Sequence, residues 1–402
     1  MAFEADKQLI ASIVQMKKSL IALAFGTLVL GIAEFVMMGI LTDVANDFNI
    51  TIPQAGHLIS AYAIGVCIGA PMLLAIRRMP LKRILLMLAV VITAGNLMAA
   101  ISPNYTTLFI ARIISGLPHG AYFGVASIVA GLLSEKGKET QSVSIMIAGM
   151  TIANVIGVPM GTALSVWVSW RYTFLLAALW GVLTIYILYK WVPYLDAVAD
   201  TGFRNQFKMF KHLGGWLILI ATFCGSVAVF SISSYIRPIL TINAGFSSEM
   251  LTPLMVVAGI AMVVGNLLSG RFSDKFTPGR VAIFAGFMIF VGAMLTHSFS
   301  YYAAIMVIAM ILCYGGQFAI ASPQQLLIIK YSYGAALMGG AGIQIAFNFG
   351  NALGAYLGGL PEHHNVPDPY SYSALIGAGF AILAVFCMVW FVSRYERNKL
   401  VK

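Results

Sequence analysis

Twelve times along this chain an apolar run of about 20 residues, long enough to cross a bilayer, gives way to a short polar connection. Runs of this length leave one class of fold open. Inside lipid every backbone N–H and C=O must be bonded within its own segment, so each run folds as a helix. They lie near 19–41, 53–75, 83–101, 105–133, 141–165, 169–190, 213–236, 248–270, 279–298, 301–323, 334–359 and 371–393. Only 9% of residues are charged, against roughly a quarter in soluble proteins. The expected fold is an all-α polytopic membrane protein of twelve transmembrane helices, with the lipid bilayer as its solvent.

The net charge of +10 does not indicate nucleic acid, because the cations cluster in the connections rather than on one face. Of the 24 Lys and Arg residues, all but Arg112, Arg171 and Arg237 fall on one side of the membrane when the spans alternate. The positive-inside rule makes that side cytoplasmic and, the span number being even, places both termini there. Trp167, Trp170, Tyr301 and Tyr302 at outer ends, and Tyr189, Trp191 and Trp390 at inner ends, suit interfacial belts, buried core positions being the alternative for some. No cleavable signal peptide is read, since the first run is long enough to span. Residues 1–16 read as an N-terminal extension, weakly ordered or a short surface helix, with Met16 an alternative start. The four cysteines sit in apolar runs without CxxC spacing, so neither a disulfide framework nor a metal site is indicated.

The longest cytoplasmic connection, 191–212, divides the spans six and six, giving bundles over 17–190 and 213–402. The halves echo each other. At a constant shift of 193, Ala148, Gly149, Ile152, Ala153, Gly157, Gly161 and Leu164 of the fifth span recur as Ala341, Gly342, Ile345, Ala346, Gly350, Gly354 and Leu357 of the eleventh. Two pseudo-symmetric six-helix bundles follow, a plan that carriers use with a site near the midplane. Glycines four and eight apart on one face let helices approach closely, and Pro159 should kink its span.

"GIAEFVMMGIL" in the first span and "ARIISGLPHGAYFGVASIVAGLL" in the fourth, with Arg112, Gly116 and Gly120, carry a family likeness. So does "GRFSDKFTPGR", with Gly270, Arg271, Asp274, Lys275 and Arg280. The chain resembles the major facilitator superfamily, its twelve-span drug:proton antiporter branch, and there the arabinose-efflux-like permeases. The resemblance covers essentially the whole length and implies the major facilitator fold, the cell (inner) membrane, and a cytoplasmic gate built on Gly270, Arg271, Asp274 and Arg280. Two departures stand out. "LLAIRRMPLKR" has Leu73 and Arg77 where the gating motif carries Gly and Asp, and the fifth-span motif ends "GVPMG", a variant that sugar and nucleoside exporters of the family share.

Ionisable groups inside a membrane are costly and therefore functional candidates. Glu34 and Arg112 both lie about seven residues, or ~10 Å, from the outer ends of their spans, so they can meet as a proton-coupling pair or as a structural ion pair. His119, two turns beyond Arg112, joins them as a relay candidate or packs by hydrogen bonding. Gln344, Asn348 and Asn351 form one stripe of the eleventh span, with Asn154 and Gln317 at similar depth. These amides are candidates to line a substrate path, interhelical bonding being the alternative.

No P-loop, HExxH, GxSxG or metal-spaced cluster is present, which argues against an enzyme. The largest loop, about 22 residues, leaves no room for a soluble signalling domain. A secondary carrier without cofactor, monomeric and driven by an ion gradient, accounts for the pattern. The resemblance implies export of a sugar, nucleoside or amphipathic drug against protons; import by proton symport or facilitation is the alternative.

Overall fold

The computed structural model describes residues 2–198, 202–364 and 366–396. Of the basic residues expected on the cytoplasmic side, Arg397, Lys399 and Lys402 lie outside the described residues. The chain begins with helices α1 (Ala2–Phe48), α2 (Ile52–Met72), α3 (Leu81–Ala100) and α4 (Tyr105–Leu132). Next come α5 (Glu139–Ile152), a π-helical turn Ala153–Gly157, α6 (Val158–Trp167) and α7 (Trp170–Trp191). After the 3₁₀ segment Phe203–Lys211 follow α8 (Leu213–Ser233), the short α9 (Ile236–Pro238), α10 (Leu251–Lys275) and α11 (Pro278–Phe299). The last three are α12 (Ala303–Lys330), α13 (Ala336–His363) and α14 (Pro369–Tyr395).

The short connections work because their polar residues cap the next helix. Thr51 and Gln54 bond each other's backbone N–H groups in a capping box before α2. Asn104 Oδ1 accepts from Thr107 N at 2.9 Å to start α4, and Thr277 Oγ1 accepts from Arg280 N to start α11. The π turn falls just ahead of Pro159, whose ring nitrogen cannot continue the helical ladder, so the fifth span widens there as an α5–π–α6 unit. Residues 2–16 are the first turns of α1, not a separate extension. Gln15 Nε2 donates to the Trp191 carbonyl at 2.5 Å and Ser19 Oγ to the same oxygen at 2.7 Å.

Among the described residues, eleven helical stretches are long and apolar enough to cross a membrane, α5 and α6 forming one of them. The twelfth expected span is present as α13, 28 residues long. It falls short in apolarity because it carries Gln344, Asn348 and Asn351 among many glycines.

Two compact units make up the chain: residues 1–206 with 334–341, and 207–333 with 342–402. The opening residues of α13, expected in the C-terminal bundle, thus group with the first unit. Within the first unit the repeat glycines of α5, the π turn and α6 press on α1. A methyl on Gly149 would lie 1.8 Å from the Ala24 carbonyl oxygen, on Gly157 2.7 Å from Ile32, and on Gly161 2.4 Å from Val36. Within the second unit, α13 meets α8 in the same way: Gly350 would strike the Phe223 carbonyl at 2.5 Å and Gly354 that of Val227 at 2.7 Å. Gly342 breaks the correspondence with Gly149, because nothing lies within 4 Å of its added methyl. A core of Met37, Ile40, Leu58, Leu108, Ala111 and Phe174 fills the first unit beside Glu34.

Candidate functional site

Three helices of the first unit deliver four polar side chains to one buried spot. Glu34 comes from α1, Tyr62 from α2, and Arg112 and His119 from α4. The expected Glu34–Arg112 ion pair is not formed. Arg112 Nη1 instead donates to the carbonyl of Ala33, the residue just before Glu34, and Nε donates to the Leu58 carbonyl at 3.2 Å. The guanidinium lies 4.6 Å over the Tyr62 ring and 5.9 Å from that of Phe174, while Nη2 is buried without a hydrogen-bond partner. Backbone carbonyls and aromatic faces have taken the role assigned to the carboxylate.

Glu34 faces His119: its Oε2 is 3.8 Å from Nδ1 of the imidazole and makes no hydrogen bond. The Tyr62 hydroxyl is 2.9 Å from the same nitrogen and 3.3 Å from the Leu30 carbonyl oxygen. Two arrangements satisfy these distances. With a proton on Nδ1 the imidazole donates to the tyrosine oxygen, which donates onward to Leu30. Without it the hydroxyl turns to Nδ1. His119 is held for this by the stacked ring of Phe123, 5.1 Å away. The cluster therefore accommodates His119 with or without a proton on Nδ1 after a small rotation of the tyrosine hydroxyl. Tyr62 carries no sequence signal, since a tyrosine within an apolar span looks like any packing aromatic.

Four of the five amides expected along a substrate path fall in the second unit. Gln317 lines a small cavity with Thr222, Ser226, Gln324 and Phe347. At about 30 Å³ it has room for about one water molecule, so a solute must widen it. Gln324 Oε1 accepts from Thr222 Oγ1 at 2.7 Å, and its buried Nε2 has no hydrogen-bond partner. Gln344 Nε2 donates to Gln325 Oε1 at 3.2 Å, and Asn348 Nδ2 donates to the Gln344 carbonyl of its own helix. Asn351 keeps a buried Oδ1 without a hydrogen-bond partner. Asn154 stands apart in the first unit on the π turn, where Nδ2 donates to the Met150 carbonyl. Thr222, Gln324 and Gln325 join the set from the structure; the polar "SPQQ" inside an apolar run was the available signal.

The residues expected to gate the cytoplasmic side sit at the α10–α11 turn. Gly270 is buried, Asp274 half-buried, and Arg271 and Arg280 exposed; neither arginine lies within ion-pair distance of a carboxylate among the described residues. The turn is tied instead by Glu396, at the end of α14. Its carboxylate accepts from Thr277 Oγ1 at 2.7 Å and from Gly279 N at 3.3 Å, placing an anion at the start of α11. Among the described residues no cluster of His, Cys, Asp or Glu has the makings of a metal site.

The family model described as Major Facilitator Superfamily matches residues 23–343. AraJ of Escherichia coli (strain K12) is 41% identical over 385 residues, covering 96% of this chain and 97% of its own. The inner membrane transport protein YdhP of the same organism is 33% identical, covering 91% and 95%. A chloramphenicol resistance protein of Streptomyces lividans is 27% identical, covering 90% and 94%. The proton:xylose symporter XylE, solved with 6-bromo-6-deoxy-D-glucose, superposes with a TM-score of 0.77 at 14% identity, over 96% of each chain. Helices of membrane-spanning length, the fold likeness and the family match agree: the chain belongs to the Major Facilitator Superfamily, as a multi-pass membrane transporter of a small solute and not an enzyme.

Proposed function

We propose that the protein is a secondary active transporter that exports a small organic solute in exchange for protons, with both termini in the cytoplasm of a cell whose inner membrane it spans. The observation that carries this reading is the buried Glu34–His119–Tyr62–Arg112 cluster, in which the Glu34 carboxylate and the Tyr62 hydroxyl both face Nδ1 of His119. Glu34 takes up a proton in one state of the cycle and releases it in another, and Arg112 sets which state favours the carboxylate. Gln317, Gln344, Asn348 and Asn351 in the second unit, and Asn154 in the first, are the neutral amides proposed to line the solute's path, which suits sugars, nucleosides and amphipathic drugs. The name of the Streptomyces relative supports export of a drug-like solute. The Gly270, Arg271, Asp274 and Arg280 turn would latch the cytoplasmic side, and Gly157, Pro159 and Gly161 would set the α1 contact of the moving span. The proton gradient is the energy source, and no cofactor is required.

Everted vesicles with a preset acidic interior test the reading. A solute that the purified protein binds should dissipate the pH gradient, and Glu34→Gln should abolish this while retaining binding. A bound solute that leaves the gradient intact would overturn proton coupling. Alkalinisation of the medium when solute is added to de-energised intact cells would assign proton-coupled import instead.

A further inference from the structure

The turn that carries the gating motif also builds an aromatic groove on the outer surface of the second unit. Phe272 of α10 and Phe276, just past its end, face Val281 and Phe284 of α11 across about 320 Å³ of open space, and Arg280 closes one end. The three phenylalanines are exposed, Phe284 by 66%. The lining is otherwise apolar, yet cations crowd its rim. Lys275 Nζ sits 5.5 Å over the Phe276 ring, and Arg271, one turn earlier, is exposed. Of the two nearby carboxylates, Glu396 is buried against Thr277 and Gly279, and Asp274 is half-buried. Two exposed cations, Arg280 and Lys275, thus stand at the mouth of an apolar slot, with Arg271 exposed one turn back, at a depth fixed by two helix ends.

We infer that this groove is a binding site for an anionic diacyl phospholipid, its phosphate held by Arg280 and Lys275 and one acyl chain laid along Phe272, Phe276 and Phe284. The charge decides for an anionic headgroup, because a zwitterionic lipid brings its own cation to a rim that already holds Arg280 and Lys275. The aromatic walls decide for a lipid over free phosphate, which has nothing to bury there. Helix ends define the interfacial depth at which phosphates sit, and Phe284, one turn inside Arg280, is ~6 Å deeper, among the acyl chains. Since cations near a membrane surface contribute about fivefold in affinity each, Arg280 and Lys275 together account for some 25-fold.

The full-length protein in phosphatidylcholine nanodiscs, exposed to a phosphatidylglycerol with a photoreactive acyl chain, tests this. Crosslinks should concentrate on the peptide holding Phe272, Phe276 and Phe284. Unlabelled phosphatidylglycerol should displace them at a concentration at least tenfold below phosphatidylcholine of the same chains, and inorganic phosphate should not displace them. Arg280→Gln with Lys275→Gln should cut labelling at least tenfold, and Phe284→Ala, with all cations in place, several-fold. Equal competition by the two lipids, displacement by phosphate, or label spread evenly over the lipid-facing helices would each overturn the site. Those competitions use the parent chain, so they decide the matter even where a variant fails to fold.

Discussion

Removing a single oxygen tests whether the buried cluster is one network. In Tyr62→Phe the ring stays under the Arg112 guanidinium at 4.6 Å, but the hydroxyl that reaches His119 Nδ1 at 2.9 Å and the Leu30 carbonyl at 3.3 Å is lost. A buried polar partner left unsatisfied costs about 1–3 kcal/mol. Glu34 Oε2, 3.8 Å from the same nitrogen, can close part of the gap, so the loss should fall near 1–2 kcal/mol. Tyr62→Leu also removes the aromatic face, worth about 2 kcal/mol to a desolvated cation, and leaves a cavity. Unfolding in mixed micelles, followed by tryptophan fluorescence, measures both. Glu34→Gln completes a double-mutant cycle, and a shared nitrogen predicts a coupling of about 0.5–3 kcal/mol with Tyr62→Phe. If Tyr62→Phe is as stable as the parent, or adds to Glu34→Gln within ~0.3 kcal/mol, the four residues are not one network.

The repeat glycines give a paired expectation: Gly149→Ala must force α5 off the Ala24 carbonyl and cost about 1–3 kcal/mol or more, whereas Gly342→Ala, with open space, should be neutral or gain up to about 1 kcal/mol of helix propensity. Equal effects in a thermal-unfolding comparison would contradict the close-approach geometry. For orientation, Lys208→Cys should be shielded from an impermeant thiol reagent in intact cells and Pro103→Cys should react; the opposite pattern would invert the topology. Asp274→Asn should raise the population open to the cytoplasm, read as loss of crosslinking across that mouth, and an unchanged distribution with transport intact would reduce the turn to a solvated loop.

Span positions were legible because lipid enforces them: a helix must satisfy its own backbone, so length and apolarity suffice. Partnerships inside the spans were not. Glu34 and Arg112 stand out by rarity, but equal depth could not show that Arg112 would bond the Ala33 carbonyl rather than the carboxylate, because that depends on the rotation of α1 about its axis. Gln344 and Asn348 formed a legible stripe, yet part of it is spent on Gln325 and on its own helix. The Glu396 cap on α11 joins residues more than a hundred apart, beyond any local pattern.

The incompleteness of the buried cluster bears on its purpose. A network kept only for packing would be expected to satisfy its members, since replacing a buried ion pair by apolar groups is often neutral or stabilising while a half-satisfied one is costly. Here Glu34 Oε2 and Arg112 Nη2 are both buried without hydrogen-bond partners, although each belongs to a side chain with neighbours in reach. The second unit repeats the theme in neutral form, with Gln324 Nε2 and Asn351 Oδ1 left over. Each orphan costs about 1–3 kcal/mol in this state, a charged one more. A cost of that size persists where another state recovers it, and the two chemistries differ as a carrier requires. In the proposed cycle the Glu34 carboxylate recovers it by taking up a proton, Arg112, which stays protonated, by meeting an acceptor, and the amides by meeting a polar solute.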